Sequence, residues 1–122
     1  MAQKYIVDDI VMYKNRIHTI IETLGRNNYE LSYVRHPVNQ AELSGFSLTT
    51  EFLEKNGWKK SKINDCAYFY YKDGLFLTYT SKDGKFWFDD FDYSSSICVE
   101  LPYVHSLQHL LFGLGIKHEM EV

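Results

Sequence analysis

Cys66-Ala67-Tyr68-Phe69-Tyr70-Tyr71, then Lys72-Asp73-Gly74, then Leu75-Phe76-Leu77-Thr78-Tyr79-Thr80: this stretch decides the fold. Two aromatic and β-branched runs joined across Asp-Gly form a hairpin, because Asp-Gly accepts the positive φ angles of a tight primed turn. A second Asp-Gly in Ser81-Lys82-Asp83-Gly84 leads into Lys85-Phe86-Trp87-Phe88, which predicts a three-stranded antiparallel meander. Side chains alternate between faces along a strand. Tyr68 and Tyr70 therefore share one face and Phe69 and Tyr71 the other, with the same split between Phe86/Phe88 and Trp87. Ile97 to Leu101 adds a further strand.

Working outward, Thr49 or Thr50 is a helix N-cap, Glu51 places negative charge in the first turn, and Phe52-Leu53 forms a buried side. Asn56-Gly57 ends that short helix in the left-handed conformation, and Trp58 packs back on its last turn. Toward the N-terminus, Asp8 to Tyr13 and Ile17 to Leu24 flank the turn Lys14-Asn15-Arg16. A second turn, Gly25 to Asn28, precedes the alternating Tyr29 to Val34. Three tightly joined strands predict a small, bent, barrel-like sheet, followed by a loop over 35–45. Toward the C-terminus, Pro102 suits a first helical turn. Tyr103, Val104, Leu107, Leu110, Leu111 and Leu114 recur at spacings of three and four, Gly115 ends the helix, and Ile116 to Val122 alternates as an edge strand. The expected class is α+β: a bent N-terminal antiparallel β unit, a short helix, an antiparallel meander, and a C-terminal helix with an edge strand. The chain, residues 1–122, is read as a single domain on length.

Composition narrows the function classes. Thirteen basic against sixteen acidic residues give a net charge of −3, which argues against coating of nucleic acid or sequence-specific binding to it. No apolar run is long enough to span a bilayer, and the start lacks the apolar stretch of a secretory signal. Two cysteines, Cys66 and Cys98, are too few for a disulfide framework and point to a reducing cytosol; both fall in expected strands as small buried hydrophobes. The ten tyrosines, eight phenylalanines and two tryptophans exceed what a small core needs, so some rings are expected to meet a partner.

Candidate sites follow. Tyr68, Tyr70 and Trp87 beside Lys59, Lys60 and Lys62 suit a stacked base with an anionic group alongside. His105, Gln108, His109 and Phe112 lie opposite the apolar stripe of the C-terminal helix, which predicts a solvent-facing, partner-binding face. His105 and His109, four apart, could share a metal, but neither cysteine has a close-spaced partner to complete a structural site. Asp83, Asp89, Asp90 and Asp92 form an acidic patch without the ligand ladder of a calcium loop. Ser94-Ser95-Ser96 is a loop with no nucleophile elbow, and no phosphate-cradling glycine loop exists. No catalytic residue, metal or cofactor is expected.

The opening Asp8-Asp9-Ile10-Val11-Met12-Tyr13, the stretch Ser47-Leu48-Thr49 with Leu53-Glu54-Lys55-Asn56-Gly57-Trp58, and Tyr103-Val104-His105-Ser106-Leu107-Gln108 together resemble a family of small uncharacterised proteins of phages, prophages and mobile elements of gut anaerobes. That resemblance implies an accessory protein acting in the cytoplasm of a bacterial host and brings no catalytic residue. The expected function is non-enzymatic capture of a small anionic aromatic ligand, with a nucleotide-derived host defence signal as the expected case. The alternatives are a protein–protein module acting on a host protein and a metal-dependent enzyme using His105 and His109. A homo-oligomer is compatible with either binding role.

Overall fold

The computed structural model describes residues 4–89 and 98–121. They divide into two compact units: residues up to 47 with 103–120, and residues 48–102 with Glu121.

The first unit begins with β1 (Ile10–Tyr13), β2 (Arg16–Gly25), β3 (Asn28–Leu31) and β4 (Val38–Asn39). A one-turn 3-10 helix (Gln40–Glu42) and β5 (Ser44–Gly45) follow. The antiparallel order is β4-β3-β2-β1-β5. Lys14-Asn15 and Arg26-Asn27 each place two successive residues at positive φ, the turn geometry whose twist matches the flanking strands. The two outer strands lie at opposite edges, yet only residues 40–43 join them. In a flat sheet those edges would stand about 19 Å apart, while a 3-10 turn advances only about 2 Å per residue. The sheet therefore curls, bending where the register of β2 slips between Ile20 and Glu22 and between Thr23 and Gly25. Tyr5, Val11, Tyr13, Ile20, Tyr29, Leu31, Val38 and Leu43 fill the interior. The third strand ends at Leu31, short of the expected Val34. The expected loop over 35–45 contains β4, β5 and a capping box between Asn39 and Glu42.

The second unit opens with α1 (Thr50–Lys55), capped by Thr49, whose hydroxyl accepts the Phe52 N–H at 3.2 Å. Gly57 takes φ 86°, and the Trp58 N–H closes the motif on the Leu53 carbonyl. Then come β6 (Lys59–Asn64), β7 (Ala67–Lys72), β8 (Leu75–Thr80), β9 (Lys85–Asp89) and β10 (Cys98–Glu100), in the order β10-β9-β8-β7-β6. The meander is present as expected. The lysine cluster is itself a strand, exposed throughout on the sheet edge. Its polar sequence hides it from an alternation test, and edge lysines discourage pairing with another chain. Cys66 is not a buried strand residue: it lies exposed in the turn before β7.

The chain returns to the first unit with α2 (Val104–Gly113). Pro102 precedes the N-cap Tyr103, one step outside the expected first turn. Gly115, at φ 73°, ends the helix, and the Ile116 N–H reaches back to the Leu111 carbonyl. The expected C-terminal edge strand is absent over 116–121. The tail bonds side chains instead of a ladder: the His118 carbonyl accepts from Gln108 Nε2, and the Glu121 N–H donates to Asn56 Oδ1. No described helix is long and apolar enough to cross a membrane.

Candidate functional site

Register decides which side chains of the second sheet share a face, because directly paired residues of antiparallel strands point the same way. Lys60 pairs Tyr70, Lys62 pairs Tyr68, Tyr68 pairs Tyr79, and Tyr79 pairs Phe86. These residues form one face. Lys59 pairs Tyr71, Tyr71 pairs Phe76, Phe69 pairs Thr78, Thr78 pairs Trp87, and Trp87 pairs Glu100. They form the other. The six residues expected to make one ligand site are thus divided: Tyr68, Tyr70, Lys60 and Lys62 on one side, Trp87 and Lys59 on the other. The alternation read from sequence was right within each strand. The phase between strands, set by the turns, was not legible.

On the first face Tyr70 is fully buried with Leu77 and Phe86. Burial, and then the Glu54 carboxylate, pushes its hydroxyl up to about 12, against a smaller opposing effect from the Thr50 hydroxyl. Tyr70 is therefore core, closed to solvent. Tyr68 and Tyr79 remain partly open, with ring centres 6.4 Å apart and planes 29° from parallel. Tyr79 leans on Phe86 at 4.6 Å, which fixes it. The Lys60 ammonium stands 4.2 Å from the Tyr68 ring centre, a cation–π contact. Lys62 pairs with Asp65 at 3.1 Å in full solvent, an interaction of little energy. The product is a stacked tyrosine pair beside two lysines held only by weak contacts.

The opposite face carries a partly open aromatic row. Phe76 contacts Phe69 and Tyr71 at 6.3 and 6.0 Å, and Tyr71 and Phe76 are 38% and 44% exposed. Lys85 and Glu100 approach to 3.8 Å at its far edge. Of the acidic patch, Asp83 accepts the Thr80 hydroxyl, which draws its carboxyl below the ordinary range. Asp90, Asp92 and Ser94 to Ser96 lie outside the described residues.

The expected partner face of α2 is largely interior to the first unit. Gln108 is fully buried: its Oε1 accepts the Ile10 N–H at 2.8 Å, and its Nε2 donates to the carbonyls of Asp8 and His118 at 2.6 and 3.0 Å. His105 is buried too, stacked on Tyr103 (5.3 Å, 7°) and edge-on to Tyr5. Burial holds its imidazole down to about 4, partly opposed by the nearby Asp9 carboxylate. His109 Nε2 lies 2.6 Å from Oδ2 of Asp9, a fully buried carboxylate that also accepts the Ile6 N–H. Phe112, 59% exposed, faces solvent as expected, with its ring edge-on to His118, and His109 is partly open. Of the apolar stripe, Val104, Leu107 and Leu111 are buried while Tyr103 and Leu114 are exposed, and the opposite side is covered at His105 and Gln108. Asp9 was missed because its partner lies 100 residues away. Among the described residues no group of three metal-ligating side chains converges.

No protein-family model, curated protein or solved structure matches this chain.

Proposed function

We propose that the chain is a non-catalytic binding protein that captures a small anionic aromatic ligand on the Tyr68–Tyr79 face of its second sheet. The Lys60 ammonium over the Tyr68 ring carries this reading. A planar ring stacking on the tyrosine pair would place its anionic substituent within reach of Lys60 and Lys62, whose present contacts are weak enough to exchange. A nucleotide fits that chemistry. In the phage or mobile-element setting that the sequence resemblance implies, such a protein would sequester a nucleotide-derived defence signal of the host.

A second reading is a protein–protein module, and the exposed row of Tyr71 and Phe76 favours it. A second copy of this chain is one such partner, since an exposed row of rings can stack on its own copy across a two-fold axis.

Thermal unfolding against a panel of mono- and dinucleotides tests the first reading. A ligand at about a hundred times its Kd stabilises by about 2.7 kcal/mol. Lys60→Ala and Tyr68→Leu should abolish the response, while Trp87→Leu, on the opposite face, should leave it intact. No shift with any nucleotide overturns the first reading; loss of self-association on Trp87→Leu would support the second.

A further inference from the structure

The first unit carries an unassigned surface of different construction, at the end of its sheet where the β1–β2 and β3–β4 connections meet. We infer that this end binds single-stranded nucleic acid, through phosphate contacts to Lys14, Arg16 and Arg35 and stacking of a base on Tyr33.

Backbone and side-chain bonds fix the placement. The Ser32 N–H donates to the Thr19 carbonyl at 3.0 Å, the Thr19 N–H donates to Ser32 Oγ at 3.0 Å, and His18 Nδ1 lies 2.8 Å from the Ser32 carbonyl. Ser32 is thereby clamped beside His18 and Thr19, and the connection it begins lies at the same end of the sheet as Arg16 and the Lys14-Asn15 turn. Tyr33 leads it, with Arg35 and His36 close behind.

Tyr33 is the telling residue. It is 100% exposed and sits at φ 62°, a left-handed conformation that is a true outlier for a bulky side chain. Strain of this kind persists where the surroundings enforce it, and it concentrates at functional positions. A ring that buries nothing offers no folding gain to offset that strain. At the same end of the sheet, Lys14, Arg16 and Arg35 take part in no ion pair among the described residues, and Lys14 instead lies 5.3 Å over the Tyr13 ring. The net charge of −3 argues against wholesale coating of nucleic acid, but this end is locally cationic.

Unpaired cations beside an outward ring select for an anionic chain with exposed flat faces. An acidic peptide would satisfy the cations and leave Tyr33 without a partner. A duplex keeps its bases stacked inside and out of the ring's reach. A single strand offers both phosphate and base. The site needs neither Lys60 nor Tyr68, so it stands or falls apart from the nucleotide reading.

Fluorescence anisotropy with a labelled oligothymidylate of about twelve nucleotides, on the full chain, tests the inference. Binding should weaken with salt by about 0.7 log units per tenfold rise for each phosphate contacted, and Arg35→Ala should remove about one such contact. Tyr33→Gly should weaken binding about fivefold or more while raising the Tm, since glycine relieves the strain; Lys117→Ala, at an exposed cation outside both surfaces, should leave binding unchanged. The inference is overturned by any of four results: no binding at about 100 µM protein in low salt, binding untouched by both Tyr33→Gly and Arg35→Ala, a duplex or polyglutamate competing as well as the single strand, or a lowered Tm in Tyr33→Gly, which would make the ring structural.

Discussion

The two units solve the same problem, burying polar atoms inside a small body, in opposite ways. In the first, buried polar side chains are tied across the length of the chain: Gln108 holds β1 and the tail together, and Asp9 holds His109. In the second, the interior is a ladder of hairpin-local rings, and the one deeply buried phenol among its described residues, Tyr70, sits among aromatic neighbours on the next two strands. Polar tethers between distant segments cost much to cut, because each severed bond strands a buried donor or acceptor. A ring packed by its sheet neighbours loses little when only its hydroxyl goes. Substitutions of similar size should therefore have very different effects in the two units.

The largest effect is expected at Gln108. Gln108→Leu keeps the volume and removes three hydrogen bonds, leaving the Ile10 N–H and the Asp8 carbonyl without their partner. The expected cost is about 2–4 kcal/mol, read by urea unfolding. A loss below about 1 kcal/mol would mean that water or a rearranged tail replaces the bonds, and the contrast between the units would collapse.

Next comes acid. The folded pKa of His105 is held down to about 4 from 6.5, so the unfolded chain binds a proton between those values that the native state refuses. Stability is then full above about pH 6.5 and falls as the pH drops toward 4, by about 2–3 kcal/mol after allowance for solvent reach. His105 Nδ1 has no hydrogen-bond partner among the described residues, so a second proton there would find no acceptor. Chemical denaturation at stepped pH measures the limb. His105→Phe should remove that part of the acid slope; an unchanged slope would place the proton uptake elsewhere.

The contrast also explains what could be read from the chain beforehand. The second unit was legible where its signals are local: Asp73-Gly74, Asp83-Gly84, the Thr49 cap and the Asn56-Gly57 stop all lie within a few residues of what they control. Its lysine-rich edge strand was not legible, because a strand exposed on all sides has no alternation to show. The candidate site was half legible. Alternation separated Tyr68 from Phe69, but assigning Trp87 to the side of Phe69 needs the turn lengths that set strand phase. In the first unit the hairpins were visible and the tethers were not. Nothing near Asp9 or Gln108 announces a partner a hundred residues away, so the face of α2 read as solvent-facing is mostly interior. The tail failed for a related reason: its alternation is real, but its bonds go to the side chains of Gln108 and Asn56.

The smallest predicted effect sharpens the comparison most. Tyr70→Phe deletes a hydroxyl that burial pushes up to about 12, an atom already poorly solvated and with little hydrogen bonding to lose. The ring contacts with Tyr79 and Phe86, at 6.5 and 6.2 Å, are unchanged in phenylalanine. The expected cost is below about 1 kcal/mol, and removal of a badly satisfied polar group can bring it to zero or make it favourable. Urea midpoints of Tyr70→Phe and Gln108→Leu, measured side by side, give the ratio directly. If the tyrosine variant loses as much as the glutamine variant, the Thr50 neighbour is a strong partner and the second unit also depends on a buried polar tie. If it loses almost nothing, Tyr70 serves as a packed ring that holds the sheet flat beneath Tyr68 and Tyr79, and any ligand response in the variant should persist at full strength.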